Sequence, residues 1–242
     1  MSGHSKWSTI KRQKGTTDQK RGLVFTKLGN AITLAVKAGG GIADPESNFK
    51  LRLVIEAARA VNMPKENIER AIDRASAKSA DDVIEVVYEG FGPGGFSVIV
   101  EAITDNKQRT TPLVKNIFEK NEGSMGTPGS VSYLYQQKGL IVVQKNDYSP
   151  DDIFLAAVDA GAEDIDEAAS GEVFVTVAVN NLSKVKSALE NKGYKILSSE
   201  LTRIPTTSIP LAGEASHKAD SFIEKLEELD DVQKVYANYE PT

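Results

Sequence analysis

The sequence contains no cysteine and only two histidines. Without cysteine the chain has no disulfide, no thiolate nucleophile and no cysteine-based zinc site. His4 and His217 are too few to form a multi-histidine metal site between them. We therefore expect no metal site, and a cysteine-free chain fits a reducing compartment.

Long apolar runs are also missing. No run approaches the ~18 residues that suggest a membrane-spanning helix. The first residues lack the apolar core of a secretory signal, and Gly3, Gly15 and Gly22 would interrupt the amphipathic helix of a mitochondrial transit peptide. Hydrophobic residues make up 40% of the chain, which is ordinary for a globular protein. We predict a cytoplasmic protein without a membrane partner.

Acidic residues are scarce in the first third of the chain, although the formal net charge of the whole chain is −5. Residues 1–79 hold about fifteen Lys and Arg against about seven Asp and Glu, so their net charge is about +8 and that of the remainder about −13. Such an asymmetry favours nucleic-acid binding by the basic part, while the acidic body repels phosphate and orients the molecule. A solvated charged surface without a ligand is the alternative.

The opening stretch combines many basic residues with the single tryptophan. Lys and Arg can contact phosphate, Ser and Thr hydroxyls can bond phosphate oxygens, and Trp7 and His4 can stack on a base or sugar. This mixture suits single-stranded or structured RNA, and it also fits a DNA minor-groove arm. Trp7 could instead pack against the helices that follow, which would hold the basic stretch in place. The predicted nucleic-acid-binding residues are His4, Lys6, Trp7, Lys11, Arg12, Lys14, Lys20, Arg21, Lys27, Lys37, Lys50, Arg52 and Arg59.

Apolar residues recur at helical spacing in three stretches between residues 20 and 77. The glycines at 39–41 end the first stretch, and Pro64 suits the start of the third because its missing N–H costs nothing there. The pattern predicts a basic three-helix domain over residues 1–79, with residues 1–20 as an extended basic arm. No stretch has the pattern of a recognition helix, so sequence-specific reading of the major groove is not expected.

The hydrophobic period changes from 3.6 to 2 near Asp81. VIEVVYEGFGPGGFSVIVEAI predicts a hairpin, RTTPLVKNIFEKNEG a helix and GSVSYLY a third strand, and a helix and a strand near the C-terminus would complete this set. Residues 137–205 follow the order strand, helix, strand, strand, helix, strand, which is that of a ferredoxin-like unit. The predicted fold class is α+β: the N-terminal three-helix domain (1–79), then two α/β (ferredoxin-like) domains, a discontinuous one of residues 80–136 plus 206–242 and one inserted into it (137–205).

Two glycine-rich stretches match nucleotide-binding motifs only in part. GFGPGG fits G-x-G-x-x-G, but a strand pattern follows where a dinucleotide site needs a helix, so we interpret it as a hairpin turn. GSMGTPGS lacks the lysine of a phosphate-binding loop and is interpreted as a loop with a possible contact role. No spacing supports paired catalytic carboxylates or a nucleophile with a base. We predict that the chain is not an enzyme.

Several motifs resemble, in the same order, those of the YebC/PmpR family. They are GHSKWSTIKRQKGTTDQKRGLVFTKL, AGGG, NMPKENIERAI, YEGFGPGGFSVIVEAITDN, GTPGSVSYL and LDDVQKVYANY. The likeness runs from residue 3 to the C-terminus and implies three domains, one inserted in another, with no cofactor and no enzyme activity. It departs at Gly29-Asn30, where members often have Arg-Glu, and this glycine should weaken its helix by ~1 kcal/mol relative to alanine.

The resemblance also bears on function. Members of the family are described as DNA-binding transcriptional regulators or, like the mitochondrial translational activators, as translation factors that act on the ribosome. We predict a nucleic-acid-binding regulator of gene expression, with a DNA-binding transcriptional regulator as the first interpretation. The alternatives are a ribosome-associated translation factor that contacts rRNA or tRNA and relieves stalling, and a non-catalytic protein-binding scaffold. The expected partners are DNA or ribosomal RNA, with the ribosome as a further candidate, and both a monomer and a weak dimer are compatible with the sequence.

Overall fold

The computed structural model describes residues 18–76, 83–145, 148–168 and 171–242. The chain divides into two compact units, one of Met1–Tyr135 with Pro205–Thr242 and the other of Gln136–Ile204. N-terminal helices are followed by antiparallel sheets, which confirms the predicted α+β class. The finer division into three domains, at 1–79, 80–136 plus 206–242, and 137–205, stays a prediction.

Three helices begin the described part of the chain, as the periodicity predicted, but the first begins at Asp18 rather than after the basic arm. Asn48 links the first two: its side-chain oxygen accepts from the N–H of Leu51, and its Nδ2 donates to the carbonyls of Ala35 and Ile42. One side chain therefore caps the second helix and fixes the end of the first. The helices are α1 (Asp18–Ala38), α2 (Phe49–Ala60) and α3 (Lys65–Ser76).

The predicted hairpin is confirmed, with GFGPGG in its turn. Gly94 and Gly95 have φ of 89° and 84°, which explains why this turn needs glycine. The hairpin belongs to a four-stranded sheet in the order β3-β1-β2-β9. This part of the chain comprises β1 (Ile84–Phe91), β2 (Ser97–Thr104), α4 (Lys107–Lys120), β3 (Ser124–Met125), and after the other unit β8 (Ile209–Leu211), α7 (Gly213–Glu227), β9 (Val232–Ala237) and β10 (Tyr239–Pro241). Strands β8 and β10 pair with each other in a separate parallel sheet.

The prediction of a strand over GSVSYLY was wrong. The third strand of the sheet is Ser124–Met125, and Ser132–Leu134 form a 3₁₀ turn before a strand that begins at Tyr135. The N–H groups of Gly129, Val131 and Ser132 donate to the carboxylate of Glu89. Because these donors are occupied, they are not available for a strand ladder.

The sheet of this unit has a buried core on one face, against α4 and α7. Phe96 and Phe118 each meet Phe222 edge to face, with ring centroids 6.1 and 5.0 Å away. Residues that alternate with this set point to the other face, where Ile99 packs with Tyr236. Helix α1 contacts β2 and β9.

The second compact unit has the predicted element order, strand, helix, strand, strand, helix, strand. Ser149 caps its first helix by accepting from the N–H of Asp152, and Gly161, with φ of 107°, ends that helix. The sheet has the order β5-β6-β4-β7, and the ferredoxin-like classification stays an interpretation. The elements are β4 (Tyr135–Gln144), α5 (Pro150–Ala160), β5 (Asp164–Glu167), β6 (Glu172–Val177), α6 (Leu182–Asn191) and β7 (Lys195–Pro205).

Gly29→Ala is expected to raise the free energy of unfolding by about 1 kcal/mol, because alanine is that much more favourable than glycine in a helix interior. A Cβ at Gly29 would have nothing within 4 Å, and the same holds for Gly22 in the same helix. Denaturant unfolding followed by circular dichroism measures the change, with Gly22→Ala as a second case. Gly90→Ala should have the opposite sign, since its Cβ would lie 2.4 Å from the carbonyl oxygen of Ser124. A loss of stability in Gly29→Ala would contradict this view of the helix.

Candidate nucleic-acid interface

Seven of the thirteen predicted binding residues lie on α1 and α2, and the other six lie outside the described residues. Lys20, Arg21, Lys27 and Lys37 belong to α1, although for Lys20 only the backbone is described. The remaining three belong to α2. Those outside the described residues are His4, Lys6, Trp7, Lys11, Arg12 and Lys14, so their role stays a prediction.

Lys37, Lys50 and Arg52 lie where α1 ends and α2 begins, and we call these three residues the basic corner. Lys37 is in the last turn of α1 and the other two are in the first turn of α2. The Asn48 side chain holds these two helix ends together through its bonds to Ala35 and Leu51. The three cations thus lie on the two helix ends that the Asn48 side chain joins.

Arg52 is the most constrained cation of the basic corner. Its guanidinium lies 3.9 Å from the carboxylate of Glu46 and 5.7 Å from the centre of the Phe49 ring. Glu46 is exposed, and an exposed ion pair contributes only about 0–1 kcal/mol. A phosphate can therefore replace Glu46 as the partner of Arg52 at little cost.

Arg21 and Arg59 are exposed but lie apart from the basic corner along their helices. Arg21 is close to the start of α1 and Arg59 is in the last turn of α2. At about 1.5 Å per residue, Arg21 is separated from Lys37 by roughly 24 Å along the helix axis. A ligand that contacts both ends of α1 must therefore extend over about that distance.

Lys27 makes a contact inside the protein. Its ammonium group donates to the main-chain carbonyl of Glu227, at the end of α7. Burial lowers the pKa of Lys27, while the negative charges of Glu227 and Asp230 oppose that shift. A cation is also favoured at a helix C-terminus by the helix dipole. Lys27 thus connects α1 to the acidic end of α7, and its ammonium group is engaged inside the protein rather than with a ligand.

Arg74 also holds helices together. Its guanidinium donates to the Gly29 carbonyl (3.3 Å), the Asn30 side-chain oxygen (2.9 Å) and the Thr33 hydroxyl (2.9 Å). The Gly29-Asn30 pair, which departs from the family pattern, therefore supports the contact between α1 and α3. Local sequence patterns do not indicate this contact, because it joins residues more than forty positions apart.

A second surface is built around Glu89, which is 6% exposed. Its carboxylate accepts from the N–H groups of Gly129 and Val131, both at 2.8 Å, and of Ser132 at 2.9 Å. Burial raises the pKa of Glu89, but the backbone donors outweigh it and hold the pKa below its ordinary value. We call residues 126–132 the anchored loop. The interpretation of GSMGTPGS as a loop is confirmed, apart from the two-residue strand at Ser124–Met125.

In the part of the chain that the structure describes, no group of three or more His, Asp or Glu is placed to hold a metal ion. His217 is exposed on α7, as predicted. Over the same residues, no helix has the length and apolar character needed to cross a membrane.

Two family models match nearly the whole chain. Residues 5–78 match the model described as the TACO1/YebC protein N-terminal domain, and residues 83–239 match the model of the TACO1/YebC second and third domain. The chain is 45% identical over 243 residues to a probable transcriptional regulatory protein of Pelotomaculum thermopropionicum, with 99% of each chain covered. It is 47% identical over 248 residues to one of Chloroflexus aurantiacus, with 100% of this chain and 96% of that protein covered.

A solved structure has the same fold. The crystal structure of a conserved hypothetical protein from Aquifex aeolicus matches with a TM-score of 0.89 and 39% sequence identity. The match covers 98% of both chains. The arrangement of helices and sheets described above is therefore shared with an experimentally determined structure.

Proposed function

The chain belongs to the TACO1/YebC family, and from this premise we propose that it is a nucleic-acid-binding regulator of gene expression, in the first place a DNA-binding transcriptional regulator. Curated relatives over its full length are named probable transcriptional regulatory proteins. That name supports a regulator and, in general terms, a nucleic-acid partner. DNA binding by this chain is our proposal.

The observation that carries the proposal is the separation of charge along the chain. Residues 1–79 have a net charge of about +8, and the remainder about −13. Within the helical part, Lys37, Lys50 and Arg52 belong to the two helix ends that Asn48 joins, and Arg21 and Arg59 are exposed. Cations on one part of a molecule with an acidic body supply an electrostatic footprint for a polyanion and orient its approach.

The proposed binding mode is contact with the phosphate backbone. Lysine and arginine at the basic corner and in the basic arm would displace counterions from the nucleic acid, and this release provides the free energy of binding. Trp7 and His4 would add stacking on a base or sugar. Base-edge reading through a helix in the major groove is not part of the proposal, because neither α1 nor α2 has a recognition-helix pattern.

A ribosome-associated translation factor is the second candidate, because structured RNA suits the same features. RNA recognition relies on shape, phosphate contacts and stacking of unpaired bases on aromatic side chains. Trp7 in the basic arm and the exposed Tyr133 beside the anchored loop are such side chains. In this reading the contacts would be to ribosomal RNA or tRNA.

A protein-binding scaffold is the third candidate, and a separate observation favours it. Phe154, Leu155 and Val158 lie exposed on α5. Exposed apolar side chains that are grouped on one helix are typical of protein-binding surfaces. On this reading the charge of residues 1–79 would serve solubility alone.

The salt dependence of binding distinguishes the two nucleic-acid-binding hypotheses from the scaffold hypothesis. We expect the logarithm of the association constant to fall linearly with the logarithm of salt concentration, with a slope of about −3 or steeper for duplex DNA. The slope follows because each neutralised phosphate contributes about −0.9 for a duplex and about −0.7 for a single strand. Fluorescence anisotropy with a labelled 20-base-pair duplex and an RNA stem-loop measures it. No binding, or binding with a slope near zero, would contradict the proposal.

A further inference from the structure

We propose that Tyr133, held by the anchored loop, is a stacking platform for an unpaired base of single-stranded nucleic acid. The inference rests on the proposed nucleic-acid function and adds a second contact, outside the helical part. It names the ligand chemistry as a nucleobase together with its sugar and phosphate, in RNA or in DNA. The contact belongs to the same compact unit as α1 and α2.

Tyr133 is exposed to a degree that no other tyrosine of the chain approaches. Its exposed fraction is 73%, whereas five of the other six tyrosines are buried. The sixth, Tyr148, is 38% exposed and its ring lies 4.7 Å from that of Tyr194. An aromatic ring in water keeps a large apolar surface uncovered, and a flat partner such as a base would bury it.

The backbone on both sides of Tyr133 is fixed. Before it, Val131 is fully buried, and the N–H of Ser132 donates to the Glu89 carboxylate. After it, the N–H of Leu134 donates to the carbonyl of Val131 (2.9 Å), and the Leu134 carbonyl accepts from the N–H and the hydroxyl of Thr206 (2.8 and 3.0 Å). A ring on a rigid support loses little conformational entropy on binding, so more of the stacking energy appears as affinity.

The chain segments on either side of Tyr133, and the segment that bonds Leu134, carry no acidic residue. Residues 123–137 contain no Asp or Glu, and neither do residues 201–212, the two stretches that meet at Leu134 and Thr206. Both stretches lack acidic residues although they belong to residues 80–242, whose net charge is about −13. Glu240 reaches the edge of this surface, where the Ser208 hydroxyl donates to it (3.0 Å).

Exposed hydroxyls complete the surface. Thr127 in the anchored loop and Thr207 in the adjoining stretch are exposed, and hydroxyls of this kind bond phosphate and sugar oxygens. A protein hot spot built on a tyrosine is normally enclosed by packed contacts that exclude water. Glycine, threonine and serine around one ring favour a base with its ribose and phosphate instead.

The test compares Tyr133→Ala with Tyr133→Phe in the full chain. The probes are a uridine 12-mer, a thymidine 12-mer and a 12-base-pair DNA duplex at ~0.1 M salt. Stacking contributes about 1–3 kcal/mol per base, so Tyr133→Ala should weaken binding of either or both single strands by about 5- to 150-fold. Tyr133→Phe keeps the ring and should stay within about twofold, since stacking uses the π-face. Melting temperatures should match the wild type, because the ring is exposed.

Two readouts make the result specific. The salt slope for the single strands should be the same in Tyr133→Ala as in the wild type, because no charge changes. After UV cross-linking of the uridine 12-mer and trypsin digestion, a modified peptide within residues 121–138 is expected from the wild type and not from Tyr133→Ala.

Three outcomes would contradict these proposals. If the wild type binds the single strands and Tyr133→Ala binds them with the same affinity, this inference alone is overturned. Equal loss for duplex and single strands would also overturn it, since a paired base is not free to stack. A wild type that binds none of the probes would instead overturn the proposed function.

Discussion

Replacing Lys11, Arg12, Lys14, Lys20 and Arg21 together by glutamine is expected to lower nucleic-acid affinity by about a hundredfold or more at ~0.1 M salt. Each of these side chains that neutralises a phosphate contributes to the counterions released on binding. Removing them should also make the salt slope shallower, by up to about 4.5 for a duplex. Glutamine is polar and has a helix propensity close to that of lysine and arginine, so the fold and the melting temperature should be preserved.

A matched variant separates this effect from net charge. Lys107, Lys115, Lys120, Lys184 and Lys195 are all exposed and lie outside residues 1–79. Changing these five to glutamine alters the net charge by the same amount. We expect this second variant to bind with nearly wild-type affinity and slope. Equal losses in the two variants would show that net charge matters and the basic arm does not, and an unaffected arm variant would remove the arm from the interface.

Glu89→Gln is expected to lower the free energy of unfolding by about 2–4 kcal/mol, because buried donors are left unpaired and hydrogen bonds to a charged acceptor are lost. The carboxylate offers two oxygens to three N–H groups, whereas glutamine offers one oxygen and turns an NH₂ group toward the rest. Glu85→Gln, at an exposed position of the same strand, is the matched control and should change stability by less than about 0.5 kcal/mol. Denaturant unfolding measures both.

The stability difference between the wild type and Glu89→Gln should depend on pH in a defined direction. Because the folded-state pKa of Glu89 lies below its unfolded value of about 4.3, the ionised carboxylate stabilises the fold above that pH. The contribution is lost as the pH falls through the folded-state pKa. Unfolding at pH 7 and at pH 3 should therefore show a smaller difference between the two proteins at pH 3. A difference that is the same at both pH values would contradict an ionised, hydrogen-bonded Glu89.

Local patterns predicted much of this fold. Apolar spacing located the three helices, and the glycines of GFGPGG located the hairpin turn, because both depend on nearby residues alone. GSVSYLY failed as a strand because its N–H groups serve Glu89, about forty residues earlier in the chain. No local propensity carries that information.

The candidate interface, like the fold, was predictable from the sequence only in part. Composition alone indicated a basic part, and apolar spacing indicated the helices that carry Lys37, Lys50 and Arg52. The sequence could not show that Lys27 binds the carbonyl of Glu227, two hundred residues away. It also could not separate Tyr133 from Tyr135, which are two residues apart, one exposed and one buried. Burial is decided by the tertiary fold.

The most direct test of nucleic-acid binding through the basic arm is UV cross-linking in cells, followed by sequencing of all DNA and RNA recovered with the protein. The wild type and the two five-glutamine variants would be compared at equal abundance. We expect nucleic acid to be enriched with the wild type and the body variant, and to be lost with the arm variant. Promoter DNA would make the protein a transcriptional regulator, and ribosomal RNA a translation factor. No enrichment with the wild type, or equal enrichment with the arm variant, would contradict the claim.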